Sequence, residues 1–116
     1  MTLPLTPEIV AAAYDFLRTT KPFCEWNLPE PEDVTFKIVR SNTCNGWHLM
    51  DKGHHTIAIS RNGVAHTMTL IATVGHEMIH LFLRETGVDK RGRHSKVFYR
   101  LAEKVARIHG FDPKNF

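Results

Sequence analysis

The residues best suited to chemistry are consecutive: His76-Glu77-Met78-Ile79-His80. Two histidines four apart on a helix leave from one face, so their imidazoles can grip a single ion. Glu77 stands about 100° around the same helix and can reach a water bound to that ion. Zinc in such a place acts as a Lewis acid and lowers the pKa of its water. The carboxylate then takes the proton and hands it to a leaving amine. Three fixed positions in five recur by chance in unrelated chains, so the surrounding segment decides how much they mean. Leu70, Val74, Met78 and Leu81 mark the same helix as a core element. Two imidazoles and a carboxylate on such a helix are costly unless paired or coordinated. The competing reading is a solvated polar stripe of Thr73, His76, Glu77, His80 and Arg84.

A catalytic zinc takes three protein ligands and a water, so a third ligand must come from elsewhere in the chain. The HExxHxxGxxH arrangement is excluded, because Leu83 and Thr86 stand where that pattern has glycine and histidine. His94 lies just ahead of the last helix, where a turn can bring it back over the first two ligands. Glu103, in mid-helix, is the His₂Glu alternative, although it sits opposite the apolar face. His54, His55 and His66 complete the set of candidates. Tyr99, five residues beyond His94, could donate its hydroxyl to a developing oxyanion.

These groups must be held by a small α+β fold. Thr6, Pro7 and Glu8 make a helix start, and the apolar positions Ile9, Ala13, Phe16 and Leu17 predict a helix over 7–19. Pro22, Pro29 and Pro31 break the next segment, which Phe23, Trp26 and Leu28 should pin to the core. Strands are expected at 34–40, 47–50 and 55–60, with a tight turn at Asp51-Lys52-Gly53. Their short links suggest a three-stranded antiparallel meander, and Trp47 is expected in the core. A long helix over 67–86 stops at Gly87, and a charged linker, Val88 to Arg93, leads to a last helix over 95–108. There Val97, Phe98, Leu101, Ala102, Val105 and Ile108 face inward. Gly110 and Pro113 end it.

With these motifs in place, the chain resembles the SprT-like zinc metallopeptidases over residues 8–110. The match lies in Gly75-His76-Glu77-Met78-Ile79-His80 followed by His94-Ser95-Lys96-Val97-Phe98, where the family typically has His-Gly-x-x-Phe. Ser95 in place of the glycine should preserve the helix start, because serine caps well. The resemblance implies a zincin-like minimal domain with one zinc ion on His76, His80 and His94. It makes Glu77 the catalytic base and Phe98 the aromatic beneath the site. It also implies that strand 55–60 is an edge strand able to align an extended substrate. No zinc ribbon follows the last helix, so a role on DNA-crosslinked proteins, known for some relatives, gains little support.

With 116 residues, 42% of them hydrophobic, the chain is expected to be one domain over 1–116 and not a two-domain enzyme. The start of the sequence lacks a signal-peptide pattern and no apolar run spans a bilayer, so a cytoplasmic protein is expected. Cys24 and Cys44 are too far apart for a zinc knuckle and read as incidental thiols. Net charge is only +3, yet it is uneven: residues 84–107 carry eight basic and three acidic groups. A solvated helix accounts for that run, so contact with nucleic acid is a secondary expectation and no membrane partner is expected. The functional expectation is a monomeric zinc metalloendopeptidase acting on protein or peptide. The alternatives are a metal-stabilised or DNA-associated module without catalysis, and an ImmA-like regulatory protease with a single repressor-like partner.

Overall fold

The computed structural model describes residues 5–62, 67–89, 92–112 and 116. Helix α1 covers Pro7–Arg18. Thr6 Oγ1 caps it by accepting from the Ile9 amide at 3.1 Å. Val10, Ala13, Tyr14 and Leu17 are buried at the 3–4 residue spacing of one helical face. Phe16, expected on that face, is 55% exposed; it lies about 100° away from Leu17 and falls outside the stripe. After α1, Phe23 and Leu28 are buried and Trp26 stacks on Phe82 at 4.5 Å, so these residues do pin the proline-rich segment.

The strands are β1 (Val34–Val39), β2 (Gly46–Asp51) and β3 (His54–Ser60). Their spatial order is β1-β3-β2. β3 runs parallel to β1, with Val34 opposite His55 and Val39 opposite Ser60. It runs antiparallel to β2, with Gly46 opposite Ile59 and Asp51 opposite His54. The expected antiparallel meander is therefore wrong: the sheet is mixed. The β2–β3 hairpin is as foreseen, with Lys52 and Gly53 both at positive φ, as a type I′ turn requires. The error lay in the link before it. Residues 40–45 do not turn back beside β1; they cross the end of β3 to the far edge. That is two strand spacings, about 10 Å, an easy reach for six residues. Short links forbid a parallel crossover only between strands that are also consecutive.

Ser60 pins the crossing. It is fully buried, and its hydroxyl donates to the Ser41 carbonyl and accepts from the Ser41 and Asn62 amides. Its own amide donates to the Asn45 carbonyl at 2.7 Å. A second expectation falls with the meander: β3 is the central strand, paired on both sides, and β2 is an edge.

Helix α2 spans Thr67–Glu85 and α3 spans Lys96–His109. α1 packs on β1 and α2, α2 lies across β2 and β3, and α3 packs on α2. Leu70, Val74, Met78 and Leu81 are buried as expected, together with Ile79 and Leu83. Gly87 and Gly110 have positive φ just past the two helices. Ile108 is 46% exposed, which narrows the inward face of α3. On β2, Gly46, His48 and Met50 alternate with the more exposed Trp47, Leu49 and Asp51. Trp47, expected in the core, is one of these, opposite Ala58. Pro113, Gly63 and His66 lie outside the described residues.

Candidate metal centre

The helical period places His76 and His80 one turn apart, with ring centroids 5.1 Å from each other. Ser95 opens α3 by accepting from the Phe98 amide at 3.2 Å, which sets the residue before it against α2. His94 thereby comes within 5.0 Å of the His76 ring and 5.1 Å of the His80 ring, centroid to centroid. One nitrogen from each of the three lies within 4.8 Å of the other two. Phe98 is fully buried beneath them, its ring 4.9, 4.5 and 4.6 Å from His76, His80 and His94. A single aromatic ring thus supports all three imidazoles.

Burial pulls the pKa of His76 down to about 4, helped by His80 and His94 and opposed by a hydrogen bond with the Phe116 backbone. His80 is also lowered to about 4, by burial first and then by His94, against the attraction of Asp89. Both are therefore neutral at pH 7, the form that coordinates a metal. Three convergent imidazoles are a donor set that zinc takes in open sites, with a fourth position left for water or substrate. Among the described residues no fourth His, Cys, Asp or Glu joins the cluster. The residues present fit such an ion.

Glu77 is 4% exposed and burial alone pushes its pKa up to about 8. Without a metal this carboxyl is protonated at neutral pH; a dication beside it would favour the charged form. All four residues open on one cleft of about 900 Å³, whose lining also includes Gly46, Trp47 and His48 of β2. Gly46 is needed there, since a Cβ would stand 2.6 Å from the Ala58 carbonyl oxygen.

The other candidates lie elsewhere. Tyr99 is 59% exposed, its ring 6.0 Å from that of His94, and it is not part of the cleft wall. Glu103 is exposed and outside the histidine cluster. His54 is exposed and hydrogen-bonded to Thr35 Oγ1 at 2.6 Å. His55, a candidate third ligand, is buried outside the cluster: it bonds His48 through Nδ1 at 2.8 Å and Glu85 through Nε2 at 2.5 Å. That string was missed, although the period of β2 already put His48 on one face with Gly46 and Met50. Cys24 and Cys44 are free and exposed. Arg93, Lys96, Arg100, Lys104 and Arg107 are exposed on and beside α3.

No curated protein and no solved structure matches this chain, and no helix among the described residues is long and apolar enough to cross a membrane. A family model does match: the SprT-like family, over residues 13–115. With His76, His80 and His94 converging as the motif requires and the match spanning most of the sequence, the chain belongs to the SprT-like family.

Proposed function

We propose that this chain is a zinc-dependent metalloendopeptidase that hydrolyses peptide bonds of protein substrates in the cytoplasm. The observation that carries the reading is the convergence of His76, His80 and His94 in the same cleft as the buried Glu77. A zinc ion held by the three histidines would supply Lewis acidity to a substrate carbonyl and to water. Glu77 takes the proton from the attacking water and returns it to the amine nitrogen as the C–N bond breaks. Its raised pKa suits both halves of that task. An extended substrate pairs with the edge strand β2, whose outer side has no partner strand among the described residues, and not with the central β3.

Zinc per chain and cleavage of β-casein, an unstructured protein, test this directly. Expected are one zinc in the wild type, casein cleavage, and a loss of about 10²–10⁴-fold in Glu77→Gln with zinc retained. Bound zinc with no difference between wild type and Glu77→Gln would sink the catalytic reading and leave a metal-stabilised module.

A further inference from the structure

Past the end of α3 the chain folds back toward the metal centre. Gly110 takes the left-handed conformation, and its amide and that of Phe111 both donate to the Ala106 carbonyl, at 2.8 and 3.0 Å. That tight cap turns Phe111 inward, where it is buried. The Phe116 ring stacks on Phe111 with centroids 5.1 Å apart and planes 30° from parallel. Its edge rests on α2: two of its carbons lie 3.5 Å from where a Gly75 Cβ would stand, an ordinary van der Waals contact. The next residue of α2 is His76, whose ring centroid is 6.0 Å from that of Phe116, edge to face at 83°. Phe111 and Phe116 both line the cleft that holds the histidine triad.

The same residue reaches His76 through its main chain. The His76 ring hydrogen-bonds the Phe116 backbone, and the bond favours the protonated ring, so the ring nitrogen donates and the main-chain oxygen accepts. A neutral imidazole has one N–H and one lone pair, on different nitrogens. A ring that gives its hydrogen to Phe116 therefore keeps the lone pair of its other nitrogen for the point where His80 and His94 converge. Without such a partner an imidazole can exchange tautomers, and the wrong one turns an N–H toward the ion. Which nitrogen of a ligating histidine carries hydrogen is set by the bond the other face makes.

We propose that Phe116 positions His76 for the metal: its main-chain oxygen holds the His76 tautomer, and its ring, packed against Phe111 and Gly75, holds that oxygen in place. This rests on the zinc-binding half of the reading above and not on hydrolysis. Phe116 acts through His76, so it is a positioning residue. Only its main chain bonds His76, and the identity of the residue therefore matters through the ring alone. Another aromatic of similar shape can replace phenylalanine there, and a methyl group cannot.

The test uses the full chain, ¹⁵N-labelled at histidine, metal-free and zinc-loaded at neutral pH, as wild type, Phe116→Ala and Phe116→Tyr. Long-range ¹⁵N–¹H spectra read which ring nitrogen of His76 carries hydrogen, and competition with a chromophoric chelator gives the zinc Kd. In the wild type His76 should be a single tautomer before zinc is added and the same one after. Phe116→Ala should leave metal-free His76 as a mixture of tautomers and weaken zinc by about 10–100-fold, as loss of an outer partner of a ligand does. Phe116→Tyr should restore both. Phe116→Leu, which keeps an apolar side chain but not the flat stack, is read in the same way if Phe116→Ala does not fold. An unchanged zinc Kd or an unchanged single tautomer in the folded Ala or Leu variant would overturn the proposal, as would an equal loss in Phe116→Tyr. A wild type that binds no zinc would overturn the metal reading and this proposal together. Zinc binding without casein cleavage, with the Phe116 effects as expected, would overturn hydrolysis and support the proposal.

Discussion

Two histidine clusters reach the cleft, and they are built on opposite principles. In His76, His80 and His94 the ring nitrogens converge on one point around Phe98. In His48, His55 and Glu85 the polar atoms lie in line, each satisfied by the next. Convergent lone pairs cannot hydrogen-bond to one another without a proton between them, so a cation is what completes them. A string with a carboxylate at its end is satisfied by its own hydrogen bonds and needs no ion. The same side chain thus becomes ligand or link according to whether the backbone aims its neighbours at a common centre or along a path.

The sharpest way to break the comparison is to remove one member from each cluster. His94→Ala should release zinc and reduce cleavage to background, while Glu85→Gln should keep one zinc per chain by elemental analysis. Loss of zinc from both variants would mean that the clusters act as one unit. Next in size is Phe98→Ala. Removing a fully buried ring should cost about 3–5 kcal/mol in denaturant unfolding and weaken zinc binding as well.

The metal-free protein should show both clusters in its stability against pH. His48, His76 and His80 have folded pKa values of about 3, 4 and 4, below the unfolded value near 6.5. The unfolded chain therefore binds more protons across that window, and stability falls as the pH drops below about 6.5. Glu77 has the opposite sign: its folded pKa, about 8, lies above the unfolded value near 4.5. The folded state holds the extra proton, so stability also falls as pH rises from about 5 to 8. Thermal melts in chelator should thus peak between these limits. Glu77→Gln should flatten the alkaline arm, and His48→Gln should soften the acid arm. A profile unchanged by either variant would remove the burial argument. The smallest effect is expected of Tyr99→Phe. Its ring is largely exposed and outside the cleft wall, so kcat should fall by less than about threefold. A larger loss would make Tyr99 an oxyanion donor.

Much of the metal centre could be read without coordinates because its parts are local. His76, Glu77 and His80 lie within one turn and a half of a helix whose period follows from its buried leucine, valine and methionine side chains. Ser95, by capping the amide of Phe98 three residues on, sets the start of α3 at Lys96. The third ligand was harder. Periodicity left His94 among several candidates, and the resemblance to a family favoured it before the helix packing brought it to the other two.

The amino-acid pattern by itself determined the helices, their caps, the β2–β3 turn and the HExxH face, since each depends on dihedral preferences and spacings within a few residues. Only the tertiary structure decided which strand lies in the middle. Strand pairing is a non-local choice: the link at 40–45 can turn back beside β1 or cross the end of β3, and buried Ser60 tied to Ser41 and Asn45 marks the crossing. That one choice put β2 at the edge beside the cleft, whereas its pairing with β3, where His48 meets His55, comes from the hairpin in either topology. Glu85, 30 residues further on, joins them only because α2 lies across both strands. Hydrogen-bond partners so far apart in the chain leave no mark in its local periodicity.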